Sequence, residues 1–390
     1  IFIAIFTILG GTAAGFFIYH KYMPVNDPID PVEWFGVAGD RVAIVLNNEL
    51  LTDEKGRLID GEIYLSLEWV NQQLNERFYW DQEEKELIYT LPEEIIYADA
   101  STMGSNGKPL FVEQEDKVWL LAGLVVNYTD VRIEPFVDEA AKRIFIDTEW
   151  ESIPEAKLTK AGKLRVRGGI KSAVLTEMTE EENVLILETM ENWSKVRTTT
   201  GYIGYIQNRC LGVQSEHHFF SNFQEPVYTN ISLGEPVCLV WHQVFSQQAN
   251  QAMEQLMSSA KGVNVIAPTW FMLTDNEGNY ECLADKDYVN KAHAMGIQVW
   301  AVVDNFNKGD NVQSEILFAR RTSREKLIKS LMEDAKTYQL DGINLDIESI
   351  KEEAGVHYVQ FIRELSVSCR KEGIILSIDN TVPAPYSTFY

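Results

Sequence analysis

The sequence has little of several residue types that mark common classes of protein. It contains four cysteines and six histidines in 390 residues. The cysteines are far apart, show no CxxC or other metal-binding spacing, and are Cys210, Cys238, Cys282 and Cys369. This usage favours free buried thiols over a disulfide framework, and we expect no metal and no other cofactor.

Positive charge is also scarce. The chain has 34 lysines and arginines against 58 aspartates and glutamates, a formal net charge of −24. Such a balance argues against nucleic-acid backbones as partners and indicates an acidic surface. The composition, 45% hydrophobic and 24% charged, is typical of globular proteins. The length allows two or three domains.

An apolar run without charge extends over residues 1–19 and is just long enough to span a bilayer. It could also be a signal-peptide core, although no small-residue cleavage site precedes Pro24. A buried helix is the weaker alternative, because the run is not amphipathic. We predict a membrane anchor or uncleaved signal at residues 1–23 and an extracytoplasmic, cell-surface location. Residues 24–33, rich in proline, are predicted to be a short, stiff linker.

Residues 340–349 read Leu-Asp-Gly-Ile-Asn-Leu-Asp-Ile-Glu-Ser, with apolar and polar residues alternating. The alternation predicts a β-strand over residues 343–347 whose Asn344, Asp346 and Glu348 point to one side. Helical patterns flank the strand, which indicates a parallel sheet covered on its outer face. Inward-facing carboxylates are costly unless they serve a site. This row is therefore the candidate functional site.

The chain from residue 234 onward alternates strands and helices in five β/α units, with glycine at helix ends. One of these helices is predicted to open at Thr322 with a capping box completed by Glu325. A doubly wound sheet satisfies the pattern too. Acidic residues at a strand's carboxyl end favour a TIM barrel, which builds its site at that face.

The spacing of Asp341, Asn344, Asp346 and Glu348 resembles the DxxDxDxE signature of glycoside hydrolase family 18. Trp241-His242 and Pro268-Thr-Trp-Phe271 add to the resemblance, which covers residues 234–390, about five of eight barrel units. Asn replaces the second Asp of the signature. In the branch of the family that acts on spore cortex and other peptidoglycan, Asn is often found there.

The resemblance implies a role for each matched residue. Glu348 is expected to be the proton donor, and Asp346 to orient the substrate's acetamido group. Asn344 and Asp341 are expected to support Asp346. The residues expected to contact sugar are Trp270, Phe306 and Trp241; for Trp270 and Phe306 a place in the core is an equal alternative. Without a nearby histidine the acidic residues are a poor zinc set, although a magnesium or calcium site stays open.

Two further modules are predicted before the β/α region. Residues 34–148 alternate short strands with a helix and resemble the α+β domain first described at the N-terminus of copper amine oxidases; no histidine-rich copper site is present. Residues 149–213 read as short strands and resemble a bacterial SH3-like barrel, with Trp193, Tyr202 and Tyr205 as a possible aromatic binding surface or core. Residues 214–233 read as a linker, and residues 234–390 as an incomplete TIM barrel.

Together these patterns predict a cell-surface glycosidase that cleaves β-1,4 bonds after N-acetylglucosamine in peptidoglycan, with retention of configuration and assistance from the substrate. Chitin oligomers are the alternative substrate. A non-catalytic cell-wall glycan-binding protein is the alternative class, although the presence of Glu348 favours an enzyme.

Overall fold

The computed structural model describes residues 21–306 and 311–380. These residues form two compact units. The first unit comprises the described residues up to Glu76 together with Met103–Glu225. The second comprises Arg77–Thr102 and the described residues from Pro226 onward. The segment 77–102, which the sequence analysis placed in the first module, thus packs with the β/α region.

The first unit contains two seven-stranded sheets. One is formed by strands from residues 41–66 and 111–147, and two short helices, Leu67–Gln73 and Ala122–Tyr128, contact its strands Glu62–Ser66 and Lys117–Leu121. Ser66 caps the first of these helices, as its hydroxyl accepts a hydrogen bond from the Trp69 N–H. In spatial order the strands of this sheet are Phe111–Gln114, Lys117–Leu121, Glu62–Ser66, Glu49–Ile59, Arg41–Leu46, Arg143–Asp147 and Arg132–Phe136.

The second sheet of this unit is antiparallel throughout its named strand pairs. Its strands in spatial order are Val174–Met178, Gly162–Arg165, Ile203–Gln207, Trp193–Thr198, Asn183–Thr189, Ser152–Leu158 and Leu211–His218. Both sheets bury side chains in one hydrophobic core, which includes Phe35, Phe145 and Val196. The two modules therefore form one packed body, while their likeness to named domain families stays a prediction.

The predicted linker is attached to this second sheet. The Val25 N–H donates to the Ile170 carbonyl and the Ile29 N–H to the Val174 carbonyl, both at 2.9 Å. The short helix Pro31–Phe35 follows, with Asp30 as its N-cap. Backbone hydrogen bonds thus hold the segment along the edge of the sheet. Proline content alone predicts a stiff linker but not this attachment.

The second unit is built on five parallel strands that are neighbours in the order in which they occur in the chain. They are Leu239–His242, Val265–Leu273, Gln298–Asp304, Gly342–Asp346 and Ile375–Ile378. A doubly wound sheet reverses its order at a switch point, and the described strands show no reversal. Their consecutive order is the one that a barrel requires, and closure into a TIM barrel stays a prediction.

Helices follow the parallel strands and cover the sheet. The longest is Glu352–Glu372, ended by Gly373 in the left-handed conformation. The others are Met253–Ser258, Lys286–Ala294, Ser314–Leu317 and Arg321–Tyr338, with a 3₁₀ segment at Gln247–Ala252 and a short strand at Tyr280–Cys282.

A three-stranded antiparallel sheet, Phe78–Asp81, Glu86–Thr90 and Ile95–Ala98, packs on two of these helices. The strands Phe78–Asp81 and Glu86–Thr90 form a β-hairpin. Its carboxylates also cap the helix Arg321–Tyr338: the N–H groups of Arg321 and Thr322 donate to Asp81 at 2.6 Å and Glu84 at 3.0 Å. The predicted capping box of Thr322 and Glu325 is wrong, because Thr322 is bound to Glu84 and Glu325 pairs with Arg321.

The same hairpin closes a buried charge cluster around Arg324. The Arg324 guanidinium is fully buried and binds both carboxylate oxygens of Glu364, at 3.0 and 3.1 Å. It also donates to the Phe318 carbonyl at 2.7 Å and lies 3.5 Å from Asp81. Removing one partner of a buried ion pair strongly destabilises a protein, because the other charge then stays buried without compensation.

We therefore predict that Arg324→Ala lowers the free energy of unfolding by about 3–5 kcal/mol, measured by urea denaturation. Arg320→Ala is the matched control, since Arg320 is part-exposed and pairs with Glu277 at 3.4 Å. An exposed pair of this kind contributes roughly 0–1 kcal/mol. Equal losses in the two variants would contradict a stabilising role for the buried cluster.

The predicted membrane-anchored, extracytoplasmic location is corrected by the structure. Within residues 21–306 and 311–380, no helix has the length and apolar character needed to cross a bilayer. Most of the predicted span, residues 1–20, lies outside the described residues.

Candidate active site

Three aspartates lie side by side at the carboxyl ends of adjacent parallel strands. Asp304 ends its strand and is the register partner of Asp346, which ends the next. Asp379 follows the strand Ile375–Ile378, and its N–H donates to the Leu345 carbonyl at 2.8 Å. Parallel strands bring their carboxyl ends to one edge of a sheet, so side chains far apart in sequence meet there.

Asn344 links side chains of neighbouring strands by hydrogen bonds on the inner face of the sheet. Its side chain is fully buried. Its amide Nδ2 donates to Ser377 Oγ and to Asp379 Oδ1, each at 3.2 Å, while its Oδ1 accepts a hydrogen bond from Trp241 Nε1 at 3.3 Å. The amide supplies a donor to Asp379 that an unprotonated aspartate at this position would not have.

Crowding at this edge changes the ionisation of Asp346. Burial, with the negative charges of Asp379, Glu348 and Asp304, raises the pKa of Asp346 to about 6. Burial also raises the pKa of Asp304, an effect opposed by the hydrogen bond from the Phe306 N–H. Crowding of carboxylates in a low-dielectric site disfavours their charged forms. Asp346 is thus placed to exchange a proton near neutral pH.

Glu348 lies just beyond the strand and not on it. The strand ends at Asp346, one residue earlier than predicted, and Glu348 is exposed in the following loop. The alternating row therefore extends only through Asn344 and Asp346. Asn305 holds the loop by two hydrogen bonds: its Oδ1 accepts from the Glu348 N–H at 3.1 Å and its Nδ2 donates to the Glu348 carbonyl at 2.9 Å.

Glu348 lines two cavities. One, of about 310 Å³, is bordered by Asp346, Tyr358 and Asp379. The other, of about 390 Å³, is bordered by Asn305, Phe306 and Glu315. A carboxyl group between two cavities, with a second carboxyl group close by, is suited to act on a bond of a ligand that occupies both.

The remaining predicted site residues divide into two groups. Trp241 and Phe306 are 59% and 44% exposed, so their rings are accessible to a ligand. Trp270 is fully buried and donates from Nε1 to Asn250 Oδ1 at 2.8 Å. The structure thus places Trp270 in the core, the second of the two alternatives stated for it.

Asp341 lies at the opposite end of its strand from the carboxylate cluster. Its Oδ2 is 2.8 Å from both His293 Nε2 and the Val299 N–H. Asp341 is five positions before Asp346, a distance of roughly 16 Å along a strand. Asp341 therefore binds the amino-terminal edge of the sheet and makes no contact with Asp346, contrary to the support expected from the motif.

Three residues of the site were absent from the sequence prediction: Asp304, Asn305 and Asp379. A signal for two of them was present, since Asp304 and Asp379 each come directly after an apolar strand pattern. Treating the residue after every predicted strand as a candidate would have identified both. Nothing in the sequence indicates that Asn305 binds the backbone of Glu348.

Comparison with known proteins agrees with this location. Residues 274–390 match the family model described as Glycosyl hydrolases family 18. No curated protein matches the chain.

Solved structures with local likeness include a chitinase from Chromobacterium violaceum ATCC 12472, at 18% identity over 36% of this chain and 44% of that one, with a TM-score of 0.31. The spore cortex-lytic enzymes SleL of Bacillus cereus and Bacillus megaterium QM B1551 are 16% and 14% identical, over 44% and 45% of this chain and 40% and 41% of theirs, with TM-scores of 0.33 and 0.34. The chain spans less than half the length of each of these structures.

Asp346→Asn is predicted to stabilise the protein in a pH-dependent manner. The pKa of Asp346 is about 6 in the folded state, against 3.8 for an ordinary aspartate. The folded state therefore keeps a proton that the unfolded state loses, and the free energy of unfolding falls as pH rises through this range. Asparagine does not ionise, so the variant avoids this decrease. Its free energy of unfolding at pH 7 should exceed that of wild type by about 1–2 kcal/mol, allowing for solvent screening.

Urea denaturation at pH 4 and pH 7 measures this difference. At pH 4 the variant and wild type should differ little. Glu353→Gln, at an exposed position in the same unit, is the control for a generic effect of charge. A stability difference that is the same at both pH values would show that Asp346 is not crowded as the structure indicates.

Proposed function

We propose that this protein hydrolyses β-1,4 bonds after N-acetylglucosamine in peptidoglycan, by substrate-assisted catalysis with retention of configuration. The observation that carries the proposal is the pair Asp346 and Glu348 at the carboxyl end of a parallel strand, with Glu348 between two cavities. The match of residues 274–390 to the family 18 model supports glycosidase activity in general. The bond cleaved and the glycan are part of the proposal.

Glu348 is proposed to protonate the oxygen of the leaving sugar and then to activate water. Because Glu348 is exposed to both cavities, it can reach a bond that joins sugars on either side of it. The acetamido oxygen of the substrate supplies the nucleophile, so a second enzyme carboxylate need not attack.

Asp346 is proposed to orient the acetamido group and to stabilise the positively charged intermediate. Its carboxylate form accepts the acetamido N–H, and its raised pKa means that this form is reached above about pH 6. Asn344 is proposed to hold the inner face in place through Asp379 and Trp241. Phe306 and Trp241 are the exposed rings proposed to stack on sugar.

Glu348→Gln should lower kcat by about 10²–10⁴-fold while KM stays within a few-fold, because the amide cannot donate the proton but can still contact the sugar. The measurement is release of reducing ends by the intact protein from purified peptidoglycan and from chitin oligomers, with identification of the new end. Glu352→Gln, at an exposed position nearby, is the matched control and should retain activity.

Each result bears on a different part of the proposal. New N-acetylglucosamine ends from peptidoglycan, lost in Glu348→Gln, support the full proposal. Activity on chitin oligomers alone supports the mechanism and contradicts the peptidoglycan substrate. Full activity in Glu348→Gln would contradict the assigned acid.

A further inference from the structure

Both backbone polar groups of Glu348 are bound by one side chain that follows the neighbouring strand. Asn305 accepts a hydrogen bond from the Glu348 N–H at 3.1 Å through its Oδ1 and donates to the Glu348 carbonyl at 2.9 Å through its Nδ2. An amide offers a donor and an acceptor on separate atoms without carrying a charge. Asn305 thus holds the peptide groups on both sides of Glu348, while the Glu348 side chain stays exposed.

The loop that carries Glu348 is also anchored at the residues beside it. Ile347 and Ile350 are buried in the hydrophobic core of the second unit. Between them Ser349 has a left-handed backbone conformation with a φ of 58°, which is unfavourable for a residue other than glycine. Such a conformation persists only where the surrounding structure holds it. The two hydrogen bonds from Asn305 to the adjacent residue are contacts of this kind.

Asn305 is itself held in a fixed place. It follows Asp304, the last residue of the strand Gln298–Asp304, and Asp304 is the register partner of Asp346. The Phe306 N–H donates to Asp304 Oδ1 at 3.2 Å, which closes a tight turn around Asn305. Because the Asp304 side chain is buried, this turn is fixed to the sheet. The position of Glu348 is therefore set by the neighbouring strand as well as by its own.

We propose that Asn305 is a positioning residue whose amide sets the place of the Glu348 carboxyl group relative to the bond that is cleaved. This inference deepens the proposed function and rests on it, since Glu348 is the acid there. Proton transfer requires the acid to lie within hydrogen-bond distance of the leaving oxygen. A displacement of about 1 Å can lower a rate by about a hundredfold. Asn305 acts through Glu348 and needs no contact with the substrate.

Steady-state kinetics of the intact Asn305→Ala protein on N-acetylglucosamine oligomers test this role. The variant should lose about 10–100-fold in kcat while KM stays within a few-fold, because sugar binding is kept and the placement of the acid is lost.

Asn264→Ala is the matched control, because Asn264 binds backbone in the same way at the opposite edge of the sheet. Its Oδ1 accepts from the Cys238 N–H at 2.7 Å, and its Nδ2 donates to the Pro236 carbonyl at 2.9 Å. Asn264 directly precedes the strand Val265–Leu273, so it lies at the amino-terminal edge. This variant should retain the kcat of wild type.

Two further measurements separate placement of the acid from a general loss of structure. An aryl glycoside with a good leaving group, such as 4-nitrophenyl di-N-acetylchitobioside, needs little protonation, so Asn305→Ala should lower its kcat/KM by less than about threefold. On the oligomers, adding Asn305→Ala to Glu348→Gln should cause no further loss, because the effect of Asn305 passes through the Glu348 carboxyl group.

Hydrogen exchange of the peptide that contains Glu348, measured by mass spectrometry, reports on the two hydrogen bonds without any substrate. Exchange should be faster in Asn305→Ala than in wild type, because the Glu348 N–H loses its acceptor. Exchange of the same peptide should be unchanged in Asn264→Ala.

A wild-type kcat in Asn305→Ala would overturn the proposal. So would equal losses on the oligomers and the aryl glycoside, a further loss in the double variant, or unchanged exchange at Glu348. An inactive wild type, or full activity in Glu348→Gln, would instead contradict the proposed function and remove the catalytic role of Asn305 with it. Hydrogen exchange would then still show whether Asn305 holds the loop.

Discussion

The repulsion among carboxylates at one edge of a parallel sheet is the interaction on which the candidate site depends. Three adjacent strands end in aspartate or are followed by it, at Asp304, Asp346 and Asp379. Burial and mutual repulsion raise the pKa of Asp346 to about 6. The fold tolerates this cost because the Asn344 amide donates to Asp379 and the Phe306 N–H donates to Asp304. The crowding that lowers the stability of the folded protein is thus the same crowding that lets Asp346 exchange a proton near neutral pH.

The second unit uses carboxylates in a different way at its periphery. The hairpin that begins at Phe78 supplies Asp81 and Glu84 to the start of the helix Arg321–Tyr338. Negative charge at a helix N-terminus is favourable because the free N–H groups and the helix dipole point toward it. Since Asp81 also faces the buried Arg324, the hairpin is an integral part of the unit that carries the site.

Predictions from the sequence agreed with the structure where they depended on residues close together in the chain. The alternation around Asp346 predicted a parallel strand and its acidic end, and the helix and strand patterns predicted five β/α units. The signal failed where a partner came from far away in the chain. Thr322 and Glu325 have the spacing of a capping box, yet Glu84, more than two hundred residues earlier, occupies the position. Trp270 is of the residue type that stacks on sugars, and only the packing of the folded chain shows that it is buried.

Position along a strand explains the difference between two motif residues. Asp341 and Asp346 belong to one short motif. The periodicity of a strand predicts the face on which each side chain lies, but it does not predict which end of the sheet carries the site. The strand Gly342–Asp346 begins after Asp341, so that residue lies at the amino-terminal edge. Sequence spacing thus identified the motif, and the strand direction decided which of its members share a site.

The central claim is that this edge catalyses glycoside cleavage with help from the substrate's acetamido group. Proton NMR of freshly cleaved N-acetylglucosamine oligomers, beside the same oligomers with N-trifluoroacetyl groups, tests it most directly. The account predicts that the product first appears as the β-anomer and that fluorination slows cleavage strongly, since it weakens the acetamido oxygen as a nucleophile. Initial release of the α-anomer, or equal rates for both substrates, would contradict it.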